Sequence, residues 1–200
     1  IPSKVVGKVP LGSIEEGKWR LEDHFDSVSD ARRMALFTQY AIAATHEALL
    51  DSQWFPKSEQ EQIETGVAVG SGIGLFDDFY ANASSFNEKG YKRVQPLFVP
   101  KLLTNMAAGN ISIRYGLRGV NHSVSSACAT GLNSIGDAFN FIKNGYSNVM
   151  VAGGTEASIH PLALAGFARA KSVVVDSNDD SKKASRPFDG SRNGFVLSEG

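Results

Sequence analysis

The chain has 200 residues, of which 42% are hydrophobic, 10% aromatic and 20% charged, a composition typical of a folded domain with its own core. Lys and Arg number 20 and Asp and Glu 21, so the net charge of −1 offers no general basic field for nucleic acid or anionic lipid. The single cysteine excludes an intramolecular disulfide, and no apolar run approaches the roughly 18 residues of a membrane span. We therefore expect no nucleic acid partner, no membrane insertion and no disulfide-stabilised fold.

The first half of the chain alternates between helical and strand patterns. Residues 1–29 are predicted to be rich in loops, because glycine and proline recur through them. Apolar spacing predicts a helix from Ser29 to about Asp51, and Gly66–Gly70 has the β-branched, glycine-bounded pattern of a short buried strand. Further helices are predicted over residues 75–86 and 101–115.

The second half repeats this alternation. Strands are predicted over residues 120–125 and 149–152, and helices from Cys128 to Gly145 and over residues 161–170. The helix after Cys128 carries four apolar residues on one face: Leu132, Ile135, Phe139 and Ile142. The polar residues 176–192 are predicted to lie at the surface. Strands that alternate with helices indicate a layered α/β fold with a mainly parallel sheet and helices on both of its faces.

Cys128 stands between a predicted strand and a predicted amphipathic helix. A thiol at a helix N-terminus faces unpaired backbone N–H groups and the positive end of the helix dipole, which favour thiolate over thiol. The same N–H groups would hold the oxyanion that forms when a thiolate attacks a carbonyl. Small residues on both sides leave room for a substrate. The alternative is an inert buried cysteine chosen for its size, and the strand-turn-helix position favours the functional interpretation.

Sequence tags spread over residues 30–200 resemble those of β-ketoacyl-acyl carrier protein synthases, the condensing enzymes of fatty-acid synthesis, and are closest to the elongating and mitochondrial types. The tags are Gly70–Gly74, Phe98–Pro100, Asn105–Gly109, Tyr115–Gly119, Ser123–Gly131, Val149–Glu156, Ser158–Leu162, Ser185–Asp189 and Gly194–Leu197. The resemblance implies a thiolase-like fold of α/β/α/β/α layers in a homodimer, with residues 1–200 forming mainly its first half. The missing initial Met and the apolar pattern at the end of the chain also indicate a fragment.

The resemblance implies a decarboxylative Claisen condensation. Cys128 accepts an acyl group from acyl carrier protein, malonyl-acyl carrier protein loses carbon dioxide, and its carbanion attacks the enzyme thioester to lengthen the chain by two carbons. The resemblance also places Ile73, Phe98 and Phe167 in the acyl pocket, with Phe98 reaching into the pocket of the dimer partner. It implies no cofactor and a mitochondrial location, or otherwise a cytoplasmic one.

Small basic clusters occur at Lys92-Arg93 and at Arg169 with Lys171. Acyl carrier proteins are acidic, and Lys92, Arg93 and Lys171 match family positions at the rim of the pocket, where positive charge would steer the carrier by long-range attraction. A solvated charged surface is the alternative for each of them.

None of the four histidines matches a catalytic position of the family, whose catalytic histidines and lysine would lie beyond Gly200. His122 is the alternative base for Cys128, but six residues of strand and turn separate the two. The Gly70–Gly74 segment lacks the full pattern of a dinucleotide-binding or phosphate-binding loop, so we do not expect it to bind a nucleotide. The resemblance makes Glu156 a structural carboxylate and not an acid catalyst. No cluster of His, Cys, Asp and Glu has the spacing of metal ligands, so we expect no metal.

Three alternative functions share parts of this pattern. A thiolase uses the same nucleophile with coenzyme A thioesters and without decarboxylation. A ketosynthase domain of a polyketide megasynthase belongs to a longer chain with further modules. A non-catalytic partner subunit, like the chain-length factors, lacks the nucleophilic cysteine, and Cys128 therefore argues against it.

Overall fold

Helices and strands alternate along most of the chain, and the computed structural model describes all residues from 1 to 200. The α-helices are α1 (Leu21–His24), α2 (Val28–Ala31), α3 (Leu36–Asp51), α4 (Glu59–Glu64), α5 (Asp77–Lys89), α6 (Phe98–Leu102), α7 (Met106–Tyr115), α8 (Thr130–Lys143) and α9 (Pro161–Arg169). The strands are β1 (Val6–Gly7), β2 (Thr65–Gly70), β3 (Asn121–His122), β4 (Val149–Gly154) and β5 (Leu197–Ser198). Short 3-10 helices cover Ile14–Glu16, Tyr91–Arg93, Ala127–Ala129 and Ser181–Lys183.

β2 is the middle strand of a three-stranded parallel sheet, with β3 on one side and β4 on the other. It pairs with β4 along its whole length, from Thr65 opposite Val149 to Gly70 opposite Gly154. β1 and β5 form a second parallel pair, which joins the two ends of the chain. Parallel neighbours need crossover connections, which helices provide here. The predicted α/β fold with a parallel sheet is confirmed.

The two faces of β2 carry side chains of different size, and this difference decides which helices cover them. Val67 and Val69 point into the main core, together with residues of α3 and α7 such as the fully buried Phe37. Side chains alternate along a strand, so the intervening glycine and alanine positions face α8. A Cβ atom on Gly70 would lie only 2.7 Å from the side chain of Thr130. Small residues on this face therefore let α8 approach the sheet closely.

Helix α8 buries its small side chains and exposes its large ones. Thr130, Ser134 and Ala138 are buried. The four apolar residues predicted to share one face do share it, but that face points away from the sheet and is exposed: Leu132, Ile135, Phe139 and Ile142, from 43% for Ile142 to 74% for Leu132. The apolar spacing therefore predicts the helix correctly, whereas the buried side is the one made of small residues.

Two predicted helices are each divided in the structure. The helix expected from Ser29 to Asp51 is α2 followed by α3, because the backbone is extended at Ala35. The helix expected over 101–115 is α6 followed by α7, with extended backbone at Leu103. Pro100 lies in the first turn of α6, where a proline costs no helical hydrogen bond, so α6 begins before it.

The strand predicted over 120–125 is confined to β3, because residues after His122 leave the sheet and cross the end of β2. The carbonyl of Val124 lies so close to Gly70 that no Cβ would fit between them. The strands predicted at 66–70 and 149–152 are confirmed as β2 and β4. The loop-rich start of the chain also contains β1 and two short helices.

Residues 176–192 lie at the surface as predicted, and Ala184 is the one buried residue among them. Arg186 holds this segment together by bonding to Asp176 at 3.0 Å and to the Ser191 carbonyl at 3.1 Å. A hydrogen bond from the Ser177 hydroxyl, and to a lesser extent the charge of Arg186, lower the pKa of Asp176. None of the helices combines the length and apolar character that crossing a bilayer requires.

Candidate active site around Cys128

A cleft of about 490 Å³ opens where β2 and β4 end and α8 begins. Its lining comes from residues 70–73, the turn that contains Cys128, and the segment around Glu156. Phe167, residues 195–198 and Gly200 form the remaining sides. The carboxyl ends of parallel strands are the usual position of ligand sites in α/β proteins. The cleft is therefore the first candidate for a functional site.

Cys128 lies in the middle of the 3-10 turn Ala127–Ala129, which directly precedes α8. Its thiol is exposed and lines the cleft. Ala127 has a φ of +52°, a left-handed conformation that non-glycine residues rarely adopt and that is typical of tight turns at functional sites. The backbone N–H of Cys128 donates to no acceptor in the chain. This N–H and the thiol are thus both available to one ligand.

Two contacts fix the turn against the sheet. The Ser126 backbone N–H donates to Thr130 Oγ1 at 2.9 Å, and the Thr130 side chain is buried against β2. Gly131 lies against the end of β4, where a Cβ on Gly154 would meet the Gly131 Cα at 3.0 Å. The position of Cys128 therefore depends on close packing between α8 and the strand ends.

The loop after β2 wraps around the carboxylate of Glu156. Oε2 of Glu156 accepts hydrogen bonds from the backbone N–H groups of Gly72 at 3.1 Å and Ile73 at 2.9 Å, and Oε1 accepts from the N–H of Gly74. The hydroxyls of Ser71 and Ser158 donate to Oε1 at 3.3 Å and 2.6 Å. The glycine-rich loop thus does gather its N–H groups around an anion, but the anion is a side chain of the same protein.

The structure brings two of the three predicted pocket residues into the cleft. Ile73 and Phe167 line it, and Phe167 packs edge-on against Phe195 with ring centroids 5.2 Å apart. Phe98 does not line the cleft of its own chain. It lies at the start of α6 and stacks on Phe79, with centroids 6.3 Å apart.

The predicted basic residues are exposed and lie outside the lining of the cleft. Lys92 and Arg93 end the 3-10 helix after α5, and Lys171 follows α9 in a left-handed conformation with a φ of +56°. None of the three forms an ion pair with a carboxylate of the chain. Their charges are therefore not neutralised by near neighbours.

No histidine of the chain lines the cleft. His122 Nε2 lies 3.1 Å from Asp137 Oδ2 on α8, and this contact holds its ring in a hydrogen bond of its own. His160 Nδ1 accepts from the Leu162 N–H at 3.0 Å and caps α9. Burial lowers the pKa of His24, which stacks on Trp19. No group of three or more His, Cys, Asp or Glu side chains is arranged to hold a metal ion.

A parallel α/β sheet with a cysteine on the turn into a helix is consistent with a thiolase-like fold, and solved structures show that fold. The structure superposes on a beta-ketoacyl synthase from Burkholderia phymatum STM815 with a TM-score of 0.74 and 30% identity, over 86% of this chain and 42% of that one. A ketosynthase solved in complex with its type II polyketide acyl-carrier protein has the same fold, with a TM-score of 0.71 and 21% identity over 84% of this chain and 47% of its own.

Residues 1–200 match the family model "Beta-ketoacyl synthase, N-terminal domain", and the chain belongs to this family. The 3-oxoacyl-acyl-carrier-protein synthase 2 of Rhizobium meliloti is 44% identical over 100% of this chain and 47% of the relative. The mitochondrial 3-oxoacyl-acyl-carrier-protein synthase of Arabidopsis thaliana is 44% identical over 100% of this chain and 42% of the relative. The chain thus spans about half the length of the curated relatives it matches.

Proposed function

We propose that the protein containing this chain is a 3-oxoacyl-acyl carrier protein synthase that uses Cys128 as its acylated nucleophile. The observation that carries the proposal is the exposed thiol of Cys128 in the cleft, at the start of α8, beside its own unused backbone N–H. The names of the Rhizobium and Arabidopsis relatives support the reaction. The Arabidopsis relative is named as mitochondrial, and we extend that location to this protein.

The first half-reaction is an acyl transfer. The Cys128 thiolate attacks the carbonyl carbon of an acyl-carrier thioester, and the Cys128 N–H donates to the oxygen that becomes negative. The bond from this carbon to the carrier sulfur then breaks, and the carrier leaves as a thiolate that takes up a proton.

The second half-reaction forms the carbon–carbon bond. Malonyl-acyl carrier protein loses carbon dioxide, and the electron pair of the broken bond remains as a carbanion next to the thioester carbonyl. This carbanion attacks the acyl-Cys128 carbonyl, and the bond to the Cys128 sulfur breaks. The products are a 3-oxoacyl carrier longer by two carbons and the free Cys128 thiolate.

Residues outside this chain complete the site in this proposal, because no histidine of the chain lines the cleft. The exposed face of α8 that carries Leu132 and Phe139 is the surface on which we place the second half of the thiolase-like fold. Exposed apolar side chains at helical spacing are typical of a surface that another element covers. We further propose a homodimer in which Phe98 reaches the pocket of the partner, since it does not reach the pocket of its own chain.

Ile73 and Phe167 are proposed to contact the acyl chain, because both are apolar and line the cleft from different elements, Ile73 from the loop after β2 and Phe167 from α9. Lys92, Arg93 and Lys171 are proposed to attract the acidic carrier protein. Unpaired surface cations raise the rate of encounter with an acidic partner more than they raise the final affinity.

Mass spectrometry of the intact protein tests the role of Cys128. Incubation with an acyl-carrier thioester should add one acyl group to the peptide that contains Cys128, and Cys128→Ser should abolish the addition. Ser181→Ala removes an exposed hydroxyl in the surface segment 176–192 and serves as the control, which should be acylated like the unmodified protein. Acylation that persists in Cys128→Ser would refute the proposal. A preference for coenzyme A thioesters over carrier thioesters would instead indicate a thiolase.

A further inference from the structure

The Glu156 carboxylate accepts five hydrogen bonds, and four of the five donors belong to residues that line the cleft. Five donors converge on its two oxygens, three of them consecutive backbone N–H groups of residues 72–74. The side chain extends from the segment after β4 to the loop after β2, more than 80 residues earlier in the chain. It is thus the link between two segments that line the cleft from different strands.

The loop that Glu156 holds also touches the turn of Cys128. A Cβ atom on Gly72 would lie 2.9 Å from Glu156 Oε2 and 3.5 Å from the Cα of Ala127. Gly72 is therefore packed between the carboxylate and the residue before Cys128, while its neighbour Ile73 lines the cleft. A shift of this loop would move the Ile73 side chain relative to the thiol.

The main chain of Glu156 is also held in place, by hydrogen bonds to Gly200, which lines another side of the cleft. Its backbone N–H donates to the Gly200 carbonyl at 2.7 Å, and its carbonyl accepts from the Gly200 N–H at 3.0 Å. The Thr155 hydroxyl donates to the same Gly200 carbonyl at 2.9 Å. The main chain that carries this carboxylate is therefore hydrogen-bonded to a third wall of the cleft.

We propose that Glu156 is a positioning residue that sets the acyl-chain preference of the cleft by fixing Gly72–Gly74 and, through them, Ile73. Glu156 acts through the backbone of this loop and not on the reacting atoms. The inference rests on the proposed function, because it assigns to that same cleft a determinant of which acyl groups fit. Both oxygens of Glu156 accept from backbone N–H groups, which can only donate, so the position requires an acceptor at each oxygen.

Glu156→Gln is the informative substitution, because it keeps the shape and replaces one acceptor oxygen by an NH2 group. That NH2 group must face a backbone N–H of the loop, so at least one hydrogen bond is lost. Glu61→Gln is the matched control. Glu61 also accepts from two backbone N–H groups, those of Lys57 and Ser58, but it caps α4 away from the cleft.

The first measurement is hydrogen–deuterium exchange of the peptide that contains residues 72–74 in the intact protein. We expect the exchange of this peptide to be about tenfold faster in Glu156→Gln and unchanged in Glu61→Gln. Equal exchange in Glu156→Gln and the unmodified protein would overturn the proposal whether or not the protein is a synthase.

The second measurement is kcat/KM for short and for long acyl-carrier thioesters. We expect the ratio of the two values to change about tenfold in Glu156→Gln, with the rate of Cys128 alkylation by iodoacetamide kept within about twofold. Ile73→Ala should shift the same ratio, and the double variant should shift it no further, because both act on one loop. Additive shifts, or an unchanged ratio with a faster-exchanging loop, would overturn the role in specificity.

Gly72→Ala provides an independent perturbation if Glu156→Gln does not fold. Its methyl group pushes the loop away from Glu156 while the carboxylate remains. The same change of acyl preference is expected, and an unchanged preference would overturn the proposal. If the unmodified protein is never acylated at Cys128, the proposed function fails, whereas the exchange result still decides whether Glu156 fixes the loop.

Discussion

Substituting Gly154 by alanine should separate β4 from α8, whereas the same substitution at Gly131, on the other side of the contact, should not. A Cβ on Gly154 would lie 3.0 Å from the Gly131 Cα and 3.2 Å from the Gly131 nitrogen, both of them main-chain atoms. A Cβ on Gly131 would lie 3.7 Å and 3.8 Å from the nitrogen and Cα of Gly154, which is ordinary contact. Both substitutions lie at the same contact between β4 and α8, but only the methyl group added at Gly154 points directly at the opposite main chain.

The geometry gives the size of the effect. The distance from the new Cβ of residue 154 to the Gly131 Cα must increase from 3.0 Å to the ordinary 3.4 Å. Strand β4 and helix α8 must therefore move apart by about 0.4 Å, although both are packed against the rest of the protein. Overpacking of this kind costs about 1–3 kcal/mol. Gly131→Ala introduces no such clash, and alanine is favoured over glycine within a helix by up to about 1 kcal/mol. Gly154→Ala should therefore lower the free energy of unfolding, and Gly131→Ala should leave it equal or raise it.

Urea unfolding of the intact protein, followed by circular dichroism, measures both values under one condition. The two variants should differ by at least about 1 kcal/mol in the free energy of unfolding, with similar dependence on urea concentration. Equal stability of the two variants would refute the inference that close packing between Gly131 and Gly154 holds α8 in place.

Three further outcomes follow from the structure. Phe37→Ala should destabilise the protein by about 3–5 kcal/mol in urea unfolding, because this side chain is fully buried in the core. Ile113 is 77% exposed, so Ile113→Ala should change the free energy of unfolding by less than about 0.5 kcal/mol. Burial lowers the pKa of His24, so just below pH 6.5 the unfolded state binds more protons than the folded state. The free energy of unfolding should therefore fall as the pH decreases through that range. The decrease should be smaller in His24→Gln. Charge reversal of Lys92 and Arg93 should raise KM for the acyl carrier with kcat unchanged, and an effect that does not weaken with added salt would contradict the steering role.

The central strands and the helix after Cys128 are predictable from sequence because their signals are local. β2 and β4 consist of short apolar runs bounded by glycine, and both are found where the pattern places them. The division of the helix around Leu103 is not predictable in this way, because the apolar spacing continues through a point where the backbone is extended. Local spacing reports which residues share a face and not whether the main chain bends between them.

In the cleft, too, features that depend on neighbouring residues are predictable from the sequence, whereas contacts between distant segments are not. Cys128 is identified by its position between a strand and a helix, and Ile73 and Phe167 by resemblance. The resemblance makes Glu156 a structural carboxylate, but its partners at residues 72–74 leave no signal in the sequence, because they are distant in the chain and donate through backbone groups. The glycine-rich pattern of that loop was the available hint, since it indicates N–H groups that gather around an anion.

The pairing of β1 with β5 has a consequence for the order in which the protein folds. Val6 pairs with Leu197, so this contact closes a loop of almost the whole chain, while the turn of Cys128 and the crossover helices join residues much closer together. Closing long loops costs entropy before any contact compensates it, so such pairings form late. We therefore expect the side of the cleft made by residues 195–200 to assemble last and to open first in native-state hydrogen exchange. Glu156, whose main chain is hydrogen-bonded to Gly200, then connects the part of the cleft that forms early to the part that forms last.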